Sequence, residues 1–290
     1  IVSTLAFTVC FMVWMMFGVI GIPIKKLLNL NATQFGLLTA TPVLTGSLIR
    51  VPLGIWTDRY GGRIVMTLLM AATVPAIWLM AYATAYWHFL VIGLFVGLAG
   101  GSFSVGTPYV ARWFPSNRQG MAMGIYGAGN SGSAVNKFIA PVLLVAFGWS
   151  IVPQVYAAIM AGAVILFWFF SFSDPTHLVT TRVKFSEQLK TLKDPKVLKY
   201  CQYYSIVFGG YVALALWMVQ YYVGEFGLDR FTTRDDPPQG RQAEELGMLE
   251  QDGQQFVIEN DAVIINVGGI LPTGFLQDIG IEVATKHGTR

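Results

Sequence analysis

The chain has 290 residues, of which 54% are hydrophobic and 12% charged, with a mean hydropathy of +0.56. Soluble domains carry about 25% charged residues, so this composition excludes an ordinary soluble protein and points to membrane helices. The charge is uneven: residues 1–224 hold 14 Lys/Arg against 4 Asp/Glu, and residues 225–290 hold 5 against 12. A basic membrane part is therefore followed by an acidic soluble part. Opening at Ile1 without a charged leader, the sequence reads as a fragment that begins inside or just before a span.

Seven apolar stretches are long enough to cross about 30 Å of hydrocarbon as helices. They fall near residues 2–24, 34–56, 63–84, 87–112, 118–147, 151–172 and 199–224. Basic residues orient them. Arg59 and Arg63 follow the second stretch, Arg112 and Arg118 the fourth, and a polar connection at 173–198 with Arg182, Lys184, Lys190, Lys193 and Lys196 the sixth. Only Lys25 and Lys26 break the alternation, so the N-terminus is expected in the cytoplasm. Six spans, a long basic connection and a new span match a transporter built from two six-helix halves.

The polar inventory of these stretches is short. Arg50 lies deep in the second and Lys137 in the middle of the fifth, with no Asp or Glu well inside any of them. A central arginine costs roughly 2.5–3.5 kcal/mol on insertion scales and needs a partner. That partner is either a substrate anion, which a guanidinium fork suits when the anion is planar and bidentate, or backbone carbonyl groups and an interface. For Lys137 a structural or gating role stands beside an anion role. Asn130 either donates to an anion or bridges helices. Gly93, Gly97 and Gly101, and then Gly120, Gly124, Ala128 and Gly132, repeat every four residues and predict close helix packing.

Other chemistries find no support. Cys10 and Cys201 read as buried small hydrophobes, and His88 and His177 as solvated loop residues. The run 127–132 fits G-x-G-x-x-G but follows no strand, so no dinucleotide is expected there. No Ser/His/Asp set and no carboxylate pair calls for an enzyme. No basic cluster interleaved with aromatics calls for nucleic acid.

Residues 54–63, GIWTDRYGGR, resemble the loop between the second and third helices of the major facilitator superfamily. Gly54, Asp58, Arg59, Gly61, Gly62 and Arg63 carry that likeness and read as a charged latch with a glycine turn. Within the superfamily, GMAMGIYGAGNSGSAVNKFIAP (120–141) resembles the glycine-rich signature of nitrate/nitrite porters through Gly124, Gly127, Gly129 and Gly132. LIRVP (48–52), GGSF (100–103) and ARWFP (111–115) also fit, over residues 1 to about 229. The resemblance implies that Arg50 clamps the substrate oxygens and Phe103 stacks on the planar anion. By the same resemblance Phe11, Asn130, Tyr204 and Phe208 complete the site. It implies alternating-access transport of nitrate and nitrite, by antiport or proton-coupled uptake. It further implies a monomer in the lipid bilayer of a bacterial inner membrane, with no cofactor. A carrier of another small solute, or an inactive truncated fusion, are the alternatives.

The expected fold is all-α: a six-helix transporter half at 1–172, a cytoplasmic linker at 173–198, a seventh transmembrane helix at 199–229, and a small soluble α/β-like tail at 230–290. The tail departs from the family, which continues into an eighth helix. QQFVIEN and DAVIINVGG read as two strands joined by a tight turn. Residues 255–285 resemble the C-terminal end of thioredoxin-reductase-like flavoproteins, but without a nucleotide fingerprint, so neither FAD nor NAD is expected.

Overall fold

A computed structural model of the chain describes residues 1–173, 193–226, 248–251 and 254–257. The chain divides into two units, Ile1–Thr233 and Arg234–Arg290, each described on its own.

The first unit is helical. Helix one runs from Val2 to Leu27, helix two from Ala32 to Tyr60, helix three from Gly62 to Met80 and helix four from Tyr86 to Ala111. Helix five follows at 119–147, helix six at Ile151–Phe170 and helix seven at Pro195–Phe226. Helices one, two, three, four and six are long and apolar enough to cross a bilayer on those grounds alone. Helices five and seven carry more polar residues, among them Asn130, Asn136 and Lys137, and Gln202, Tyr204 and Ser205. Of these, Asn136 is fully buried between helices.

Helix one is the hub. Every residue from Cys10 to Ile22 is buried, and a helix that is apolar and covered all round belongs in the middle of a bundle. The outer helices show the opposite pattern. Leu68, Trp78 and Leu79 on helix three, and Ile165, Leu166 and Phe169 on helix six, stand exposed. Such faces suit lipid, where backbone polar groups are satisfied within each helix.

Four helices are interrupted near their middles. Helix one breaks between Trp14 and Phe17, and helix two at Ile49. Helix four tightens to a 3-10 turn over Gly97–Gly101, and helix five over Ala128–Ser131. In helix two the cause is legible: Pro52 has no N–H to offer the carbonyl of Leu48, so the ladder lapses there. In helix one no proline sits at the break. Instead the Asn136 amide of helix five donates to the Met15 carbonyl at 2.9 Å, and the Tyr156 hydroxyl of helix six donates to Asn136 Oδ1 at 2.8 Å. One buried amide thus ties three helices together at the break.

Several expectations change here. A Cβ on Gly132 would meet the Thr8 carbonyl and, at 2.8 Å, the Met12 nitrogen, so helix five crosses helix one at that glycine. Gly97 likewise abuts the Pro42 carbonyl. Gly120 and Gly124, expected to pack as well, have nothing within 4 Å, because they lie on a face of helix five that no described element covers. Cys10 is buried, but Cys201 is exposed, since most of helix seven before Val212 lies open among the described residues. His88 is not a loop residue: its Nδ1 accepts from the Ala85 and Thr84 N–H groups at 3.2 and 3.4 Å and caps helix four. His177 lies outside the described residues.

The described part of the second unit is one antiparallel hairpin, Met248–Gln251 with Gln254–Val257, in the register Met248↔Val257 to Gln251↔Gln254. The strand expected at QQFVIEN is there, shorter, but it pairs backwards with MLEQ. The sequence between the two strands is Asp252–Gly253, a dipeptide that favours two-residue hairpins. The expected partner DAVIINVGG lies outside the described residues, as does most of the flavoprotein-like stretch.

Candidate functional site

The interrupted middles of helices one, two, four and five meet helix seven around Arg50. This arginine is the first residue after the break of helix two and is half-buried. Its guanidinium carbon lies 5.3 Å from the centre of the Phe208 ring and 5.8 Å from that of Trp14. The Tyr204 hydroxyl also faces it. No carboxylate pairs with Arg50 among the described residues, and its buried Nε has no hydrogen-bond partner there.

Around this charge the aromatic side chains form a continuous wall. Phe103 stacks on Tyr204 at 6.3 Å, Tyr204 on Phe208 at 5.1 Å, and Phe208 lies 6.3 Å from Phe11. Five of the six residues expected at the site, Arg50, Phe11, Phe103, Tyr204 and Phe208, therefore adjoin one another. Asn130 joins them indirectly. Its side-chain amide donates to the Gly127 carbonyl at 2.9 Å, a bond within its own helix rather than a bridge between helices. Its backbone carbonyl accepts from the Tyr211 hydroxyl at 3.4 Å, and Tyr211 stacks on Phe11 at 6.3 Å.

Two residues missed in the sequence belong here. Trp14 is parallel to Phe208 within 8° at 6.4 Å. Tyr211 holds helix seven to helix five through Ser133 Oγ and the Asn130 carbonyl. For Trp14 a signal existed. Tryptophan favours membrane interfaces, so one placed mid-span, three residues after Phe11, marks an unusual environment. Of the signature glycines, Gly129 is closed by the Phe7 ring and Gly132 by helix one, whereas Gly124 and Gly127 have open space beside them.

The charged loop between helices two and three is organised by residues from elsewhere. Asp58 pairs with Arg112 at the end of helix four, not with Arg59 or Arg63. Arg63 donates to the Trp168 carbonyl of helix six at 2.7 Å and lies over that indole at 4.4 Å. Arg59 lies over Tyr60. Gly61 takes a positive φ of 86° at the turn, Gly62 abuts Tyr109, and Gly54 has nothing within 4 Å.

The sequence profile of the Major Facilitator Superfamily matches residues 2–240. The chain belongs to that superfamily. This facilitator chain is 41% identical over 238 residues to a probable nitrate/nitrite antiporter of Thermus thermophilus, an alignment covering 78% of the chain and 54% of that protein. It is 32% identical over 229 residues to a nitrite extrusion protein of Bacillus subtilis, covering 78% and 57%. A probable nitrate transporter of Staphylococcus epidermidis is 31% identical over 229 residues, covering 79% and 58%. The facilitator chain spans little more than half the length of these relatives. Among solved structures, a bacterial homologue of the human lysosomal transporter Spinster shares the fold with a TM-score of 0.58 at 18% identity, over 77% of this chain and 54% of that one.

Proposed function

We propose that this chain is the N-terminal portion of a nitrate/nitrite carrier of the bacterial inner membrane, with its N-terminus in the cytoplasm. The supporting observation is Arg50: a half-buried guanidinium, free of any carboxylate among the described residues, set in an aromatic wall, in a chain whose relatives are named for nitrate and nitrite. Arg50 offers two parallel N–H donors to two oxygens of a planar anion. Phe11, Phe103 and Phe208 line one side of the charge with apolar rings, which lowers the local dielectric and strengthens the ion pair. Tyr204 supplies a hydroxyl donor beside the guanidinium.

Asp58 with Arg112, and Arg63 with Trp168, would hold the ends of helices two, three, four and six together while the two halves of the complete carrier rock about this site. Residues 1–172 act as the first half, 173–198 as the linker, 199–229 as the opening of the second half and 230–290 as an added tail. Within this portion Asp58 is the only acidic residue before Asp174, which favours nitrate/nitrite exchange over proton-coupled uptake.

Nitrate titration into the purified chain in lipid nanodiscs, followed calorimetrically, tests the assignment. Arg50→Lys replaces the fork with a point charge. Loss of one charge-assisted hydrogen bond weakens nitrate on the order of tenfold or more. Unchanged nitrate affinity in this variant would sink the proposal.

A further inference from the structure

We propose that Trp14 is a positioning residue for Arg50, and that it selects planar oxyanions over spherical ones by fixing the plane of the guanidinium. The inference rests on the reading of Arg50 as the anion site.

The indole is held on every side. Its N–H donates to the Pro42 carbonyl of helix two at 2.9 Å, in a fully buried bond. Pro42 lies two turns before Arg50 on that helix, so the tether fixes the indole against the segment that leads into the break beside Arg50. Two glycines make room for the indole: a Cβ on Gly46 would lie 2.7 Å from Trp14 Nε1, and one on Gly100 would lie 2.6 Å from it. Phe11 meets the same indole edge-on at 5.4 Å, and Phe208 lies parallel to it. Trp14 itself is 2% exposed. It is the last helical residue before the break that Asn136 holds, so its backbone is fixed as well.

A side chain placed this firmly has one face near a cation, the Arg50 guanidinium at 5.8 Å, with Phe208 at 5.3 Å as the second contact. Arginine is flexible along its stem, and its Nε has no hydrogen bond among the described residues to orient it. Beside the Tyr204 hydroxyl that faces the guanidinium, the two rings add orientation through their negative faces. A planar anion with two oxygens gains only when both N–H groups point at it together. A spherical halide responds to charge and distance alone. Rigid aromatic support therefore raises affinity for the planar ion and leaves the halide unaffected.

The test compares nitrate and bromide affinities of the whole chain in nanodiscs for wild type, Trp14→Leu, Trp14→Phe and Arg50→Ala. Trp14→Leu is expected to weaken nitrate about tenfold with bromide unchanged. Trp14→Phe, which keeps a ring without the tether to Pro42, is expected to recover part of the loss. Because Trp14→Leu leaves a large void, Trp14→Phe alone decides the matter if the leucine variant does not fold: a lowered nitrate-to-bromide ratio supports the role and an unchanged ratio overturns it. Equal losses for both ions overturn it too, since they indicate general disruption. Nitrate binding that is absent in wild type, or survives Arg50→Ala, refutes the Arg50 reading and takes this proposal with it. Binding that needs Arg50 but ignores Trp14 refutes this proposal alone.

Discussion

Replacing Asn136 with leucine should destabilise the helical unit out of proportion to the bonds it makes. The amide joins the Met15 carbonyl and the Tyr156 hydroxyl at 2.9 and 2.8 Å, and both it and Tyr156 are buried. Interhelical hydrogen bonds in membrane proteins average about 0.6 kcal/mol each, so the two bonds alone predict a loss of about 1 kcal/mol. The greater cost comes from the group left behind. Met15 keeps the Gly18 N–H as a donor, but the Tyr156 hydroxyl loses its acceptor in an apolar setting, at about 1–3 kcal/mol. Together these losses reach about 2–4 kcal/mol. Adding Tyr156→Phe removes the stranded hydroxyl and should restore at least about 1 kcal/mol, although Tyr156→Phe alone is destabilising. Unfolding of the four proteins of this cycle in detergent micelles measures the coupling. Simple additivity, or a cost below about 0.5 kcal/mol for Asn136→Leu, would refute the reasoning.

Other substitutions separate neighbouring positions. Gly132→Ala should cost about 1–3 kcal/mol, because the backbone of helix one at Thr8 and Met12 cannot yield to a methyl group. Gly124→Ala, with nothing within 4 Å, should stabilise helix five by up to about 1 kcal/mol, and thermal unfolding of the two variants reports the contrast. Gly61→Ala forces a side chain into φ 86° and ψ 145° and should cost about 1–3 kcal/mol in the same assay. Asp58→Asn should cost under about 1 kcal/mol, since the Asp58 and Arg112 side chains are 40% and 25% exposed, and raised salt should shrink the difference.

The long helices were legible because apolar length is written directly in the sequence, and every stretch read as a span is a helix. Their interruptions were not. Pro52 hints at the break beside Arg50, but the break in helix one depends on Asn136, which is 121 residues from Met15. A stripe of glycines shows that a helix can be approached closely, not which part of it is. Gly132 and Gly124 share one four-residue repeat, and Gly132 touches a neighbour where Gly124 does not. Arg50 stood out because a charge in hydrocarbon is costly. Tyr211 did not, because aromatics are common in such helices and its role comes from partners on helix five, while Trp14 offered only the weaker signal of a tryptophan placed mid-span. Resemblance grouped Phe11, Phe103, Tyr204 and Phe208 around Arg50, where the structure also places them, but the contacts of Asn130 needed coordinates. In the tail, alternation found the strand at Gln254–Val257 and missed its partner, because pairing direction is not encoded in the alternation itself.

The imbalance of charge in the first 173 residues acts beyond any contact. Asp58 is their sole acidic residue and is engaged by Arg112, while Arg50 and Lys137 sit mid-helix with no acidic group near them in sequence. At an effective dielectric of about 20, a unit charge about 8 Å away contributes about 2 kcal/mol. In the proposed carrier such a field repels metal cations and protonated amines before shape is tested and draws anions inward. On that proposal sign is discriminated at long range, which leaves the aromatic wall only the task of telling one anion from another.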